Sequence, residues 1–123
     1  MNSSVKETTI LFVYGTLKRG FENHPIVEES RFIGTARSVQ PMAMWGIEFP
    51  YVSDKLPLYP IFGEVYEVSE AVLRLTDALE DHPRLYQRSV RDFSLVGGNV
   101  IAAWIYLSHA QLRSKPLESG EWK

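Results

Sequence analysis

The stretch Ile61-Phe62-Gly63-Glu64-Val65-Tyr66-Glu67-Val68, then Ser69-Glu70, then Val72, Leu73, Leu75, Ala78 and Leu79, decides the fold class. Its first eight residues are rich in β-branched and aromatic side chains and read as a strand, with Gly63 as a candidate bulge. Ser69 can N-cap the next element, and Glu70 suits a first helical turn. Val72, Leu75 and Leu79 then recur at i, i+3 and i+7, with Leu73 and Ala78 widening the stripe, which predicts an amphipathic helix packed through that stripe. Pro83 disfavours helical geometry at His82 and ends the helix near Glu80 or Asp81. Downstream, Tyr86 to Val96 and Val100 to Leu107 read as strands joined by the hairpin signal Gly97-Gly98-Asn99. Upstream, Ile10-Leu11-Phe12-Val13-Tyr14 is a continuous apolar run, the pattern of a strand buried on both faces, and Arg31 to Val39 alternates weakly. A short helix can begin at Pro25.

One clear helix therefore interrupts strands that lack regular helical crossovers, which points to an α+β domain with a mixed, mostly antiparallel sheet. The strands are predicted near residues 9–14, 31–39, 61–68, 85–96 and 99–107, in one closed or nearly closed sheet, with the helix near 70–80 packed on it. Pro41 to Pro60 carries four of the seven prolines together with Met42, Met44, Trp45, Phe49 and Tyr51, and reads as loops and edge strands packed on the core. Residues 1–8 read as a flexible tail and 9–123 as a single domain. A chain of 123 residues buries roughly two-thirds of its unfolded surface, enough for one core.

Composition narrows the function. With 13 Lys and Arg against 15 Asp and Glu, the formal charge is −2, so no bulk electrostatic case exists for nucleic acid or an anionic membrane. The absence of cysteine removes thiolate catalysis, thiolate metal sites and disulfides together. The polar N-terminal stretch lacks the apolar core of a secretory signal, so a cytoplasmic location is expected and the Asn2-Ser3-Ser4 sequon carries no weight. His24, His82 and His109 show no metal-ligand spacing, and no metal site is expected.

Two places could carry chemistry. The first is Tyr14-Gly15-Thr16-Leu17, directly after the buried strand. Glycine lets backbone N–H groups approach a ligand, and successive N–H groups can form an anion nest. The same residues are equally compatible with a plain strand-to-loop turn. Gly15 and Gly20 bracket Lys18 and Arg19, but the order of a phosphate-binding P-loop is absent. The second is the helix end, where Asp77, Glu80 and Asp81 crowd the negative pole of the macrodipole. Dipole and neighbouring charge both push a carboxyl's pKa upward, which suits a base working near neutrality. The competing reading is a solvated acidic end neutralised by Arg74, Arg84 or Arg88. Tyr59, Phe62, Tyr66 and Tyr86 read as core, with a hydroxyl such as that of Tyr86 free to face a pocket.

The combination resembles the γ-glutamylcyclotransferase-like family. Val13-Tyr14-Gly15-Thr16-Leu17-Lys18-Arg19-Gly20 is similar to the family's signature after its first strand, and Asn23-His24 fits just downstream. Tyr59-Pro60 and Gly63-Glu64-Val65-Tyr66-Glu67-Val68 resemble its central strand. Leu79-Glu80-Asp81-His82-Pro83-Arg84-Leu85-Tyr86-Gln87-Arg88 resembles its catalytic segment, in the form most similar to γ-glutamylamine cyclotransferases. Ser119-Gly120-Glu121-Trp122 is similar to the tail of short bacterial and plant members. The segment Pro41 to Pro57 matches no family motif, which leaves the pocket wall, and with it the substrate, open.

The resemblance implies a small mixed β-barrel with helices packed outside. It implies Glu80 as the acid/base residue, Tyr14, Gly15, Thr16 and Leu17 as the substrate loop, and Asn23 and Tyr86 as pocket-lining candidates. The implied partner is a small γ-glutamyl compound, whose α-amine attacks its own γ-carbonyl, closing 5-oxoproline and expelling an amine or amino acid. Such a reaction needs no covalent enzyme intermediate, no metal and no organic cofactor. A non-catalytic binding relative and a γ-glutamyl-deprotecting enzyme of a biosynthetic pathway share these residues. On this reading Asp77 and Asp81 act on Glu80 through its pKa alone.

Overall fold

The computed structural model describes residues 7–46, 48–109 and 114–123. Five strands, β1 (Thr8–Val13), β2 (Arg31–Ser38), β5 (Phe62–Ser69), β6 (Tyr86–Leu95) and β7 (Val100–Ser108), close into a barrel in the order β1-β5-β2-β6-β7. All neighbours are antiparallel except β1 and β7, which meet in parallel at Leu11 and Trp104 and seal the barrel. A separate two-stranded sheet pairs β3 (Ala43–Gly46) with β4 (Pro50–Ser53), inside the proline-punctuated stretch expected to hold loops and edge strands. The helix α1 (Glu70–Leu79) leaves β5 without a loop, and Ser69 Oγ caps it by accepting from the Val72 N–H. The short helix expected from Pro25 is a single 3-10 turn, His24–Ile26. Most of the tail expected at residues 1–8, the sequon included, lies outside the described residues, and β1 already begins at Thr8.

Two apolar layers explain why the run after Thr9 is apolar at every position. Phe12 and Tyr14 join a cluster with Ala36, Ile61, Val65, Phe93, Ala103 and Ile105, and the Phe12 and Phe93 rings stack at 4.0 Å. Leu11 and Val13, of opposite parity, join Leu17, Val27, Tyr66, Val68 and Tyr106, against which Val72 and Leu73 of α1 pack. A strand with a buried layer on each side cannot alternate.

Two local expectations are corrected. The helix does not pack through the Val72–Leu75–Leu79 stripe. Leu75 is 57% exposed and Leu79 40% exposed, while Thr76 is fully buried. The inward face runs instead through Val72, Leu73 and Thr76, because a buried hydroxyl is tolerated where it has a partner: Thr76 Oγ1 lies 2.7 Å from Tyr106 Oη. Gly63 is no bulge either. The register slips between Phe32 and Gly34 of β2, leaving Ile33 as the extra residue. A Cβ on Gly63 would sit 2.2 Å from the Val13 carbonyl oxygen and 2.7 Å from the Phe12 ring, so glycine is there for close strand approach.

Candidate active site

The end of β1, the end of α1 and the start of β6 enclose a cavity of about 290 Å³. Tyr14, Gly15, Thr16, Leu17, Asn23, Glu80 and Tyr86 all line it, so the structure brings the loop together with Glu80 of the helix end, while Asp77 and Asp81 are not in the lining.

The loop after β1 is braced from behind. The Gly15 carbonyl accepts from the Lys18 N–H at 3.0 Å, the Thr16 carbonyl from the Asn23 N–H at 2.9 Å, and the Leu17 carbonyl lies 3.0 Å from His24 Nδ1. Asn23 Nδ2 also donates to Thr16 Oγ1 at 2.8 Å. Two residues on, the buried carboxylate of Glu64 accepts from the Arg19 N–H at 2.9 Å and from the Tyr66 hydroxyl at 2.9 Å. The carbonyls are thus occupied, whereas the N–H groups of Gly15, Thr16 and Leu17 find no acceptor among the described residues. Unpaired N–H groups in a cavity wall are donors available to a ligand. Gly15 is required by its neighbour: a Cβ there would lie 2.5 Å from Pro50 Cγ. The Tyr14 side chain turns into the core and donates its hydroxyl to the Tyr106 carbonyl at 2.6 Å, so it anchors the loop by its ring and bond.

Glu80 is the C-cap of α1. Asp81 follows in the left-handed region at φ 52°, its N–H bonding the Ala78 carbonyl and the His82 N–H the Asp77 carbonyl, a Schellman closure with aspartate in the usual glycine place. This turns the chain sharply and leaves the Glu80 carboxyl in the cavity wall. Burial raises its pKa from 4.5 to about 7. Its charge in turn pushes the phenols of Tyr14 and Tyr86, already raised by burial, further up.

The neighbouring acids do not cause that shift, contrary to expectation. Asp77 is taken by Arg88, at 2.8 Å to Nε and 3.2 Å to the second guanidinium nitrogen, and by the Tyr106 hydroxyl at 2.7 Å. Burial alone would raise Asp77, but these bonds outweigh it and hold it below the ordinary carboxylate range. Asp81 pairs with exposed Arg84 at 2.9 Å. The neutralised helix end, read from the sequence as the competing view, is therefore correct for both aspartates and leaves out Glu80.

Sequence reasoning missed Tyr106, and it pointed to the Pro41–Pro57 segment as pocket wall without naming the residues that form it. Tyr106 comes from β7, and Phe49 and Pro50 from the β3–β4 segment. Tyr86 donates its hydroxyl to the Pro50 carbonyl at 3.0 Å and stacks on Tyr51 at 5.7 Å, while Tyr51 meets Phe49 at 5.2 Å. The signal available was the aromatic and proline content of an otherwise irregular stretch. No helix among the described residues is long and apolar enough to cross a membrane.

A family profile described as "Gamma-glutamyl cyclotransferase, AIG2-like" matches residues 11–123. The chain is 40% identical over 114 residues to a "Putative gamma-glutamylcyclotransferase" of Methanocaldococcus jannaschii, covering 92% of this chain and 94% of that protein. It is 36% identical over 95 residues to the gamma-glutamylaminecyclotransferase of Homo sapiens, covering 66% of this chain but only 59% of that longer protein. Its fold is similar to the crystal structure of an AIG2-like protein from Mus musculus, with a TM-score of 0.78, 29% identity, and coverage of 87% and 81% of the two chains.

Proposed function

The chain belongs to the gamma-glutamyl cyclotransferase, AIG2-like family, and on that premise we propose that it releases 5-oxoproline from a γ-glutamyl amine or γ-glutamyl amino acid, with Glu80 as general acid and base. The observation that carries this reading is the pairing in one cavity of a carboxyl whose pKa lies at about 7 with a loop of unpaired N–H groups.

The substrate's α-amine is an ammonium at neutral pH and must lose a proton before it can attack. Glu80, ionised in about half the molecules at its own pKa, takes that proton. The amine nitrogen then bonds to the γ-carbonyl carbon, whose oxygen gains charge. On bonding, the attacking nitrogen sheds a second proton to Glu80, which has passed the first to solvent, and Glu80 delivers that second proton to the leaving nitrogen as the old C–N bond breaks, so five-membered 5-oxoproline and a free amine result with no water consumed. The N–H groups of Gly15, Thr16 and Leu17 suit either the α-carboxylate or the developing oxyanion. Because nucleophile and electrophile share one molecule, holding the glutamyl arm folded is a large part of the catalysis.

The test is 5-oxoproline release from a panel of γ-glutamyl compounds by the wild type and by Glu80→Gln. The variant keeps the size of the side chain and loses the base, and its turnover is expected to fall by at least ~10²-fold, the low end for a general acid/base. Retention of most of the wild-type rate, with matching thermal melts, would make Glu80 structural.

A further inference from the structure

Tyr106 touches both halves of the candidate site. It lies in β7, is buried and lines the cavity. Its main-chain carbonyl accepts from the Tyr14 hydroxyl at 2.6 Å, directly before the loop of unpaired N–H groups. Its own hydroxyl reaches the other way, to the end of α1, where it donates to Asp77 Oδ1 at 2.7 Å and lies 2.7 Å from Thr76 Oγ1. Asp77 and Thr76 precede Glu80 by three and four positions, so the grip falls on the turn that carries Glu80.

Arg88 holds the same turn from β6. Its guanidinium bonds Asp77 through two nitrogens, at 2.8 and 3.2 Å, and lies over the Trp104 ring at 4.4 Å. Its N–H donates to His82 Nδ1 at 3.2 Å. Glu80 is therefore bracketed, with Asp77 clamped three residues before it and His82 two residues after it. No side chain among the described residues bonds the Glu80 carboxyl, so its place is set by the turn that carries it. The single hydrogen of the Tyr106 hydroxyl is committed to Asp77, and burial holds that phenol far above its ordinary pKa. Tyr106 thus neither passes a proton to a substrate nor carries charge near neutrality. Asp77 does not act on Glu80 by charge either, because Arg88 neutralises it.

We propose that Tyr106, together with the Asp77–Arg88 pair, is a positioning residue: it fixes the Glu80 carboxyl against the loop after β1 at the separation that proton transfer within one bound molecule requires. Its chemistry rests on the cyclotransferase reading, and its geometry on the hydrogen bonds alone. Losing about 1 Å of such placement can cost about 10²-fold in rate while the contacts that bind substrate remain.

Two variants test this. Tyr106→Phe keeps the ring and the main-chain carbonyl, changes no charge, and removes only the hydroxyl. Arg88→Lys keeps the charge and loses the two-pronged grip. The other titratable groups of the lining, Glu22, Tyr14 and Tyr86, are untouched by either. The Glu80 carboxyl is titrated by carbon NMR in the wild type and both variants, its signal identified by its absence from Glu80→Gln. In parallel, kcat and KM for 5-oxoproline release from γ-glutamyl-alanine and γ-glutamyl-ethylamide are measured at about pH 8, above the expected bend. A carboxyl released from the wall meets water, so its midpoint should fall from about 7 toward 4.5 in both variants. The kcat should fall at least ~10-fold, with KM within about twofold of wild type. Asp54→Asn breaks the Arg91–Asp54 pair (2.7 Å), also made from β6 but outside the cavity lining, and should leave both readouts unchanged. If Glu80 titrates in both variants as in the wild type, or Asp54→Asn moves it equally, the positioning proposal is overturned whatever the rates. An active wild type whose kcat survives in both variants overturns it as well. If the midpoint moves and no protein yields 5-oxoproline, the cyclotransferase reading fails while the placement of Glu80 by Tyr106 stands.

Discussion

As the proposed general base, Glu80 makes stability and activity respond to pH in opposite directions. Its pKa in the folded protein is about 7 against an ordinary 4.5. Between those values the folded state binds the extra proton, so this residue's contribution to stability is greatest below about 4.5 and is lost as pH rises through 7. Glu80→Gln carries no such penalty. Urea unfolding should find it equal to wild type near pH 4.5 and more stable at pH 8, by up to about 3 kcal/mol, the ceiling set by the shift. Equal stability of the two proteins at pH 8 would show that Glu80 is not desolvated. On the proposed mechanism activity needs the ionised carboxyl, and the acid limb of kcat/KM should bend near 7. The suspicion that fell on this residue came from crowding at a helix end. Crowding was the visible sign, but the cause is burial, and the partners that neutralise Asp77 and Asp81 are arginines whose pairing depends on the turn after α1.

Helix α1 shows what periodicity tells and what it leaves out. The period and both ends were legible: Ser69 caps it and Pro83 lies beyond its last turn. The phase was not, because Leu75 and Leu79 offered a stripe as regular as the true inward face. The face is settled by Thr76, whose hydrogen-bond partner Tyr106 lies 30 residues on and cannot be paired with it by spacing. Two substitutions check this. Leu75→Glu should change stability by no more than about 0.5 kcal/mol, as at an exposed site. Thr76→Val, close in shape, removes the hydroxyl between the Leu73 carbonyl and Tyr106 and should cost about 1–2 kcal/mol in chemical denaturation. The reverse order of costs would restore the leucine stripe as the packed face. The five barrel strands were legible for a related reason: each is long, and β-prone or bounded by turn residues. The strands β3 and β4 are four residues each and rich in Met, Trp and Pro, so their pairing comes from the surface they pack on. With them went the particular residues Phe49 and Pro50, although the segment that holds them was open to being pocket wall.

At the scale of the molecule, the segment 114–123 works as a strap across the barrel. The Ser114 carbonyl accepts from Trp45 Nε1, the Leu117 N–H bonds the Met44 carbonyl, the Gly120 carbonyl accepts from the Phe62 N–H, and the Trp122 carbonyl accepts from Lys18 Nζ beside the loop after β1. Tyr59 stands at its centre, its hydroxyl donating to the Leu117 carbonyl at 2.7 Å and accepting from the Met44 N–H at 3.0 Å. Tyr59→Phe deprives both groups at once and should cost about 1–3 kcal/mol, read from the denaturation midpoint. A change below a few tenths would mean the strap is only laid on the surface. The seam of the barrel has a further consequence, for the speed of folding. Leu11 meets Trp104 and the Tyr14 hydroxyl meets the Tyr106 carbonyl, contacts between residues 92 or 93 positions apart along the chain. Joining such distant strands is the costly kind of contact for a polypeptide search, and folding on the millisecond-to-second scale is expected. The cavity takes wall from both sides of that seam, so a ligand recognises only chains in which the seam has closed. Saturating ligand at 100 times its Kd should add about 2.7 kcal/mol to global stability. In stopped-flow chevrons the gain should appear almost wholly as slower unfolding, with the refolding arm unmoved, because the ligand binds the completed cavity of the native state; a faster refolding arm would place a formed cavity in the transition state.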